Sequence, residues 1–131
     1  MNGFRKVFVL AALLVCGVVH AQFPQALALM KGMVIPSSNI LFSVGNKAPK
    51  TDAEWAAVLK SAENLVAGAQ KLMPMGPDTG REPWVGFTEA LGAASRKAVT
   101  AARARNADAV VSAGDEMFDV CESCHRMYMK K

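Results

Sequence analysis

The chain has 131 residues, a formal net charge of +4 and a mean hydropathy of +0.19, which together allow one domain. Its 15 basic and 11 acidic residues are nearly balanced, and no basic stripe with interleaved aromatic residues occurs along the sequence. Composition therefore argues against binding to nucleic acid or to an anionic membrane surface.

The N-terminal segment 1–21 has the features of an export signal. Arg5 and Lys6 precede a nearly unbroken apolar run, Val7–Val19, which is too short to span a bilayer comfortably, and small residues follow it. We therefore predict a cleaved signal peptide at 1–21 and a mature periplasmic domain at 22–131, without a membrane span. The alternative is an uncleaved N-terminal membrane anchor.

Cleavage would change both the charge and the inventory of reactive side chains. The mature chain keeps 13 basic and 11 acidic residues, a net charge of +2, so the basic isoelectric point carries little information about partners. Cleavage also removes Cys16 and His20, which leaves two cysteines and one histidine. All three lie within five residues near the C-terminus.

The first predicted helix covers Pro24–Val44. Pro24 suits an opening turn, whereas Pro36 lacks an N–H group and must kink the helix or split it in two. The apolar residues predicted to lie on or beside the buried face of this helix are Leu27, Leu29, Met30, Met33, Val34, Ile40 and Leu41.

Three further helices follow after loops rich in glycine and proline. Thr51 and Glu54 form a predicted capping box for the second helix, and Asn106 marks a corner before the fourth. The predicted ranges are 52–73, 83–105 and 107–129. Four helices joined by short loops indicate an all-α fold, an antiparallel up-down-up-down four-helix bundle.

The fourth helix carries the sequence Cys-Glu-Ser-Cys-His at 121–125. This is the C-x-x-C-H signature for attachment of a c-type haem. In that chemistry Cys121 and Cys124 form thioether bonds to one covalent haem c, and His125 binds its iron as the proximal ligand.

Other uses of two cysteines and a histidine fit this chain less well. A structural zinc site needs four ligands, and the mature chain offers three Cys and His side chains in one turn. A thioredoxin-like C-x-x-C would open a helix after a strand, whereas Cys121 and Cys124 lie near the end of a helix. A disulfide between cysteines three residues apart on a helix would constrain little.

Because the mature chain has no second histidine, the second axial position of the iron is left to a methionine, to water or to no ligand, unless a lysine binds. In the predicted bundle the haem is enclosed by residues near 24–35, 70–85 and 113–129, which puts Met30 and Met33 on helix one at the correct end. Both are candidates for the distal ligand; methionines are also common fillers of hydrophobic cores.

A haem-attachment motif near the end of the fourth helix of an exported protein of this size resembles the class II c-type cytochromes, the cytochrome c prime group. The sequence CESCHRMY at 121–128, with Tyr128 three residues after the histidine, carries this resemblance. It implies a low-spin protein in which a methionine early in helix one binds the iron. Ala28-Leu29-Met30-Lys31 is similar to that pattern, which points to Met30 as the distal ligand, with Met33 as its rival. Met129 departs from the basic residue often found after the tyrosine, so Arg81, Arg126 or Lys130 are candidate partners of a haem propionate.

These features predict an electron-transfer protein rather than an enzyme, with other periplasmic redox proteins as transient partners. The alternative is a five-coordinate protein that binds NO or CO, with an apolar distal face formed by Leu27 or Leu29. The family resemblance also suggests a homodimer, paired through the first two helices.

Overall fold

The computed structural model describes residues 23–129, so the predicted signal peptide and Lys130 lie outside the described part of the chain. Within that part the fold is all-helical and has no strands, which confirms the predicted all-α class. Four helices pack against one another: α1 Pro24–Ser43, α2 Asp52–Leu72, α3 Arg81–Arg103 and α4 Ala107–Tyr128.

The core lies between the four helices. The most extensive contacts join α2 to α3 and α3 to α4, while α1 packs against both α2 and α4. Each helix contributes side chains that repeat every three or four residues and thus form one apolar face. The largest fully buried apolar side chains are Leu41, Leu65, Leu72, Val110 and Met117.

Pro36 neither splits nor ends helix α1. The chain stays helical through it, because the preceding residues Met30–Val34 form a π turn in which the N–H of Ile35 bonds to the carbonyl of Met30. In a regular α-helix the proline ring would press on the carbonyl four residues earlier. The π turn holds one extra residue and widens the helix at this point.

The extra residue changes which side chains of α1 face the core. A regular helical repeat predicts that Leu27 is buried together with Val34, but Ala26 is buried and Leu27 is exposed. Ala26 lies eight positions before buried Val34 and Leu27 lies seven, so the burial of Ala26 follows from the one extra residue in the π turn. Ile40, which was predicted beside the buried face, is also exposed, and Leu41 takes the core position.

Helices α2 and α4 begin with side-chain caps. Thr51 accepts a hydrogen bond from the N–H of Glu54, and the Glu54 carboxylate accepts from the N–H groups of Lys50 and Thr51, which confirms the predicted capping box. Asn106 caps α4 by accepting from the N–H of Ala109. These caps satisfy N–H groups that lack partners within the helix.

Both loops that flank α3 contain a residue in the left-handed region. Gly80 precedes α3 with a φ of 76°, and Arg105 follows it with a φ of 53°. Gly80 adopts this conformation at no steric cost because it has no Cβ. A short 3₁₀ helix, Met73–Met75, extends the end of α2 toward this loop.

Helix α1 is unusually apolar for its position in the bundle. It spans 20 residues with a mean hydropathy of 1.3, and it is the one helix of the described residues that could cross a membrane by length and composition. The core helix of a soluble protein or a signal sequence has the same properties, and α1 packs against α2 and α4. An apolar helix near the N-terminus is compatible with export.

Candidate haem site at one end of the bundle

The largest cavity near the cysteine motif lies at the end of the bundle where α4 finishes. Its volume is about 640 Å³, which is within the usual range for a small-molecule site. A smaller cavity of about 20 Å³ lies deeper, toward the core. The residues that line both cavities are Met30, Trp84, Cys124 and His125.

The motif residues project from the last turns of α4 toward these cavities. Cys121 lines the inner cavity, while Cys124 and His125 line both, and all three side chains are half-buried. Neither thiol is part of a disulfide. A spacing of three residues puts Cys121 and Cys124 on one helical face, so both sulfur atoms are available to the same ligand.

Burial sets the protonation state of the two thiols. It raises the pKa of Cys121, and it raises the pKa of Cys124 to about 11, with a smaller contribution from the neighbouring Cys121 sulfur. Both groups are therefore neutral thiols at pH 7. Thiolates are the reactive form in disulfide exchange and in metal binding, so these surroundings disfavour both roles.

The two candidate methionines of α1 occupy different surroundings. Met30 lines both cavities together with Cys124 and His125. Met33 is directed toward α2, where its sulfur lies 3.7 Å from the position that a Cβ on Gly68 would take. Both belong to the π turn, which has more residues per turn than an α-helix. Their side chains therefore point in more widely separated directions around the helix axis. The structure brings Met30, but not Met33, to the cysteine motif.

The three methionines on α4 or directly after it divide between the core and the surface. Met117 is fully buried one turn before Cys121 and lines neither cavity. Met127 and Met129 line the larger cavity, but both are exposed and lie on α4 or directly after it. Together with exposed Leu27, they form an apolar rim around the opening of that cavity.

Trp84 forms the wall between the two cavities. Its ring is buried, and its Nε1–H donates a hydrogen bond of 2.8 Å to the carbonyl oxygen of Leu72. It stacks on Phe23 and meets Tyr128 edge to face, in each case with ring centroids 5.1 Å apart. Phe23 and Phe87 also meet Tyr128 edge to face. These contacts hold the start of α1, the start of α3 and the end of α4 together.

The loop before α3 closes one side of the site. Pro77 and Thr79 line the larger cavity. The Tyr128 hydroxyl donates a hydrogen bond of 2.7 Å to the carbonyl oxygen of Gly80. A Cβ on Gly76 would lie only 2.5 Å from Cδ1 of Trp84, so a residue without a side chain is required there.

Two of the three predicted propionate partners, Arg81 and Arg126, are engaged in surface ion pairs, and the third, Lys130, lies outside the described residues. Arg81 lies 3.6 Å from Asp78 and donates a long hydrogen bond of 3.4 Å to the carbonyl oxygen of Gly76, beside the loop that lines the cavity. Arg126 pairs with Glu122 on its own helix at 2.7 Å. Exposed pairs of this kind are weak and exchange readily.

The cavity walls come from residues near 24–35, 70–85 and 113–129, the segments expected from the sequence. Phe23 is a wall residue that sequence analysis missed. The one available signal was an aromatic residue directly before a helix that begins with proline. A Cβ on Gly114 would lie 3.5 Å from Cδ1 of Phe42, so this glycine lies where α4 packs against α1.

The two cavities combine sulfur and nitrogen donors with mainly apolar walls. Two neutral thiols, one imidazole and one thioether face an otherwise mainly apolar space. Among residues 23–129, no group of three or more His, Cys, Asp or Glu side chains gathers in a way that could hold a metal ion.

Comparison with known proteins gives no match, whether to protein-family models, to curated proteins or to solved structures.

Proposed function

We propose that this protein is an exported monohaem c-type cytochrome that carries single electrons in the periplasm. Cys121 and Cys124 hold the haem c covalently, His125 is the proximal ligand of the iron, and Met30 is the distal ligand. The observation that carries the proposal is that Met30 lines the same two cavities as Cys124 and His125 although it lies on a different helix.

Each of these residues has a distinct task. The thiols of Cys121 and Cys124 become thioethers, which carry no charge and tolerate the half-buried positions that raise the pKa of both thiols. When bound, the haem supplies a ferric and ferrous state that differ by one electron. Ligation by methionine opposite histidine favours a high reduction potential.

The apolar walls of the cavity would also influence the reduction potential of the haem. Phe23, Trp84 and Leu27 line the cavity with apolar side chains that carry no charge. A less polar surrounding disfavours the more highly charged ferric form. These walls therefore add to the effect of Met30, and we expect a potential above that of a haem bound by two histidines.

Contacts between helix ends support the antiparallel up-down-up-down arrangement. The start of α3 bonds to the end of α2 through Trp84 and Leu72, and Arg105, just after α3, pairs with Asp52 at the start of α2. The end of α4 meets the start of α1 through the contact between Tyr128 and Phe23. In this arrangement the haem lies where the end of α4 meets the beginning of α1.

One observation favours the second candidate function, a five-coordinate cytochrome c prime that binds NO or CO. The 640 Å³ cavity extends past Met30 to apolar Ala26 and Leu27, which would leave room for a small gas beside the iron. Met30 would then be a wall residue and not a ligand.

Spectra of the purified protein and of two matched variants test the proposal. We expect a covalently haem-bound, low-spin ferric protein with a methionine-to-iron charge-transfer band. Met30→Ala should abolish that band and let carbon monoxide bind, whereas Met33→Ala should leave the spectrum unchanged. A high-spin protein that binds carbon monoxide without any substitution would favour the gas-binding function. A colourless protein with the mass of the bare polypeptide, made in cells that attach haem, would refute both.

A further inference from the structure

The opening of the larger cavity is surrounded by exposed apolar side chains. Six large apolar residues are exposed among residues 23–129, and three of them, Leu27, Met127 and Met129, line this one cavity. They are 46, 49 and 61% exposed. Single apolar residues are common on protein surfaces, but a group of them around one opening is typical of an interaction surface. These three residues are the apolar rim.

The apolar rim and the cavity behind it carry no formal charge. None of the described residues that line the cavity is Asp, Glu, Lys or Arg. Four charged side chains nearby form two pairs of opposite sign, Arg126 with Glu122 and Arg81 with Asp78. Helix α1 carries one charged residue, Lys31, which does not line the cavity. A partner that approaches this opening therefore meets little net charge.

The composition of the apolar rim suits contact with another protein. Two of its three side chains are methionines, which are unbranched, polarisable and able to adapt their shape to different partners. Methionine is enriched in protein–protein interfaces, and charged residues are depleted at the centre of such interfaces. The rim thus has the makeup of the central part of an interface.

We propose that the apolar rim is the docking surface for redox partner proteins, and that it accepts partners whose own redox centre lies beneath an uncharged apolar patch. The inference rests on the proposed function, since the cavity inside the rim is the one assigned to the haem. One electron passes from the reduced protein to the oxidised centre of the partner, and no bond forms or breaks. Without charges to steer the encounter, association is expected at about 10⁵–10⁶ M⁻¹s⁻¹.

Stopped-flow oxidation of the reduced protein by two blue-copper proteins of matched reduction potential tests this surface. One probe has an uncharged apolar patch over its copper site, and the other has acidic residues around it. We expect the first to react faster. Its rate constant should change less than about threefold while added salt shortens the Debye length from about 30 Å to about 3 Å.

A lysine in the apolar rim should exchange the preference between the two probes. Met127→Lys should slow the reaction with the apolar probe at least about tenfold, because docking would bury an unpaired charge. The same variant should speed the reaction with the acidic probe and make it depend on salt. The matched control is Phe118→Lys, an equal change of charge at an exposed apolar residue of α4 that does not line the cavity. Phe118 is nine residues from Met127, about two and a half turns, and so lies on the opposite side of the helix. Both rates should stay within about twofold of the parent.

Methyl NMR of the reduced protein locates the docking surface without electron transfer. The zinc-substituted form of the apolar probe is added, and we expect the methyl signals of Leu27, Met127 and Met129 to shift. The methyl signals of Ile40, which is exposed further along α1 and does not line the cavity, should stay in place.

Several results would overturn this docking surface and leave the proposed function standing, provided that the spectrum of the haem is normal. These are a faster reaction with the acidic probe, equal effects of the two lysine variants, and methyl shifts centred on Ile40 or absent. Sedimentation that shows a dimer lost on Met127→Lys would assign the apolar rim to a second copy of the chain, and would also overturn it. A colourless protein would instead refute the proposed function, and the docking surface with it.

Discussion

The hydroxyl of Tyr128 donates a hydrogen bond of 2.7 Å to the carbonyl oxygen of Gly80, and so joins the last residue of α4 to the residue that precedes α3. The residues are 48 positions apart in sequence. The bond ties the segment that bears the cysteine motif to the loop that closes the cavity.

Tyr128→Phe removes this bond and keeps the aromatic ring. We expect a loss of about 0.5–1 kcal/mol in the free energy of unfolding, at the lower end for a hydrogen bond because the site is exposed and water can replace the hydroxyl. Tyr128→Leu should cost more than 2 kcal/mol, since contacts to Phe23, Trp84 and Phe87 are also lost. Denaturant unfolding measures both; equal stability of the two variants would contradict the role given to the ring.

Gly76→Ala tests how tightly the loop packs on Trp84. The backbone at Gly76 has a φ of −70°, which alanine adopts freely, so any cost comes from the Cβ placed 2.5 Å from the indole. We expect a loss of about 1–3 kcal/mol, typical of overpacking. The matched control is Gly86→Ala on α3, where a Cβ meets nothing within 4 Å and should stabilise the helix by about 0.5–1 kcal/mol. Thermal unfolding that ranks the two variants in the opposite order would refute this packing argument.

The capping box of α2 predicts a dependence of stability on pH. Hydrogen bonds from the backbone N–H groups of Lys50 and Thr51 lower the pKa of Glu54 below its usual value of 4.5. A lowered pKa in the folded state stabilises the protein above pH 4.5, and this contribution is lost as the pH falls through the folded value. Glu54→Gln should therefore melt at a lower temperature than the parent at pH 7, and the gap should narrow at pH 3. A gap that is constant across this range would show that the carboxylate charge has no part in the cap.

Substitution of two methionines near the motif by alanine should change the free energy of unfolding by very different amounts. Met117 is fully buried, so Met117→Ala is expected to cost about 2–5 kcal/mol through the cavity that it leaves. Met127 is exposed at the cavity rim, and Met127→Ala should change stability by less than about 0.5 kcal/mol. Chemical denaturation gives both values, and a large cost at Met127 would mean that the rim is covered.

The helices, the caps and the position of the cavity were predictable because each follows from a local pattern. Thr51 and Glu54 predict the start of α2, and the C-x-x-C-H motif predicts which end of α4 borders the cavity. The segments that enclose the cavity then follow from the order of the helices and the short loops between them.

Which residues of α1 are buried was harder to predict, because it depends on a local change in the number of residues per helical turn. A constant repeat of 3.6 residues places Leu27 toward the core, whereas the π turn brings Ala26 there. The sequence signal is Pro36 alone, and it does not specify how the helix adapts. Choosing between Met30 and Met33 has the same difficulty, since they lie in the widened turn itself.

The one surplus residue in the π turn therefore sets the angular position of everything that precedes it in α1. Deleting exposed Lys31 would return this stretch to an ordinary α-helix and rotate the segment before it by about 100°. Ala26 and Met30 would then swing away from Cys124 and His125, although no residue lining the cavity had been replaced. In this chain the number of residues in one helical turn decides whether the Met30 sulfur faces Cys124 and His125, and deletion of a single codon is enough to change it.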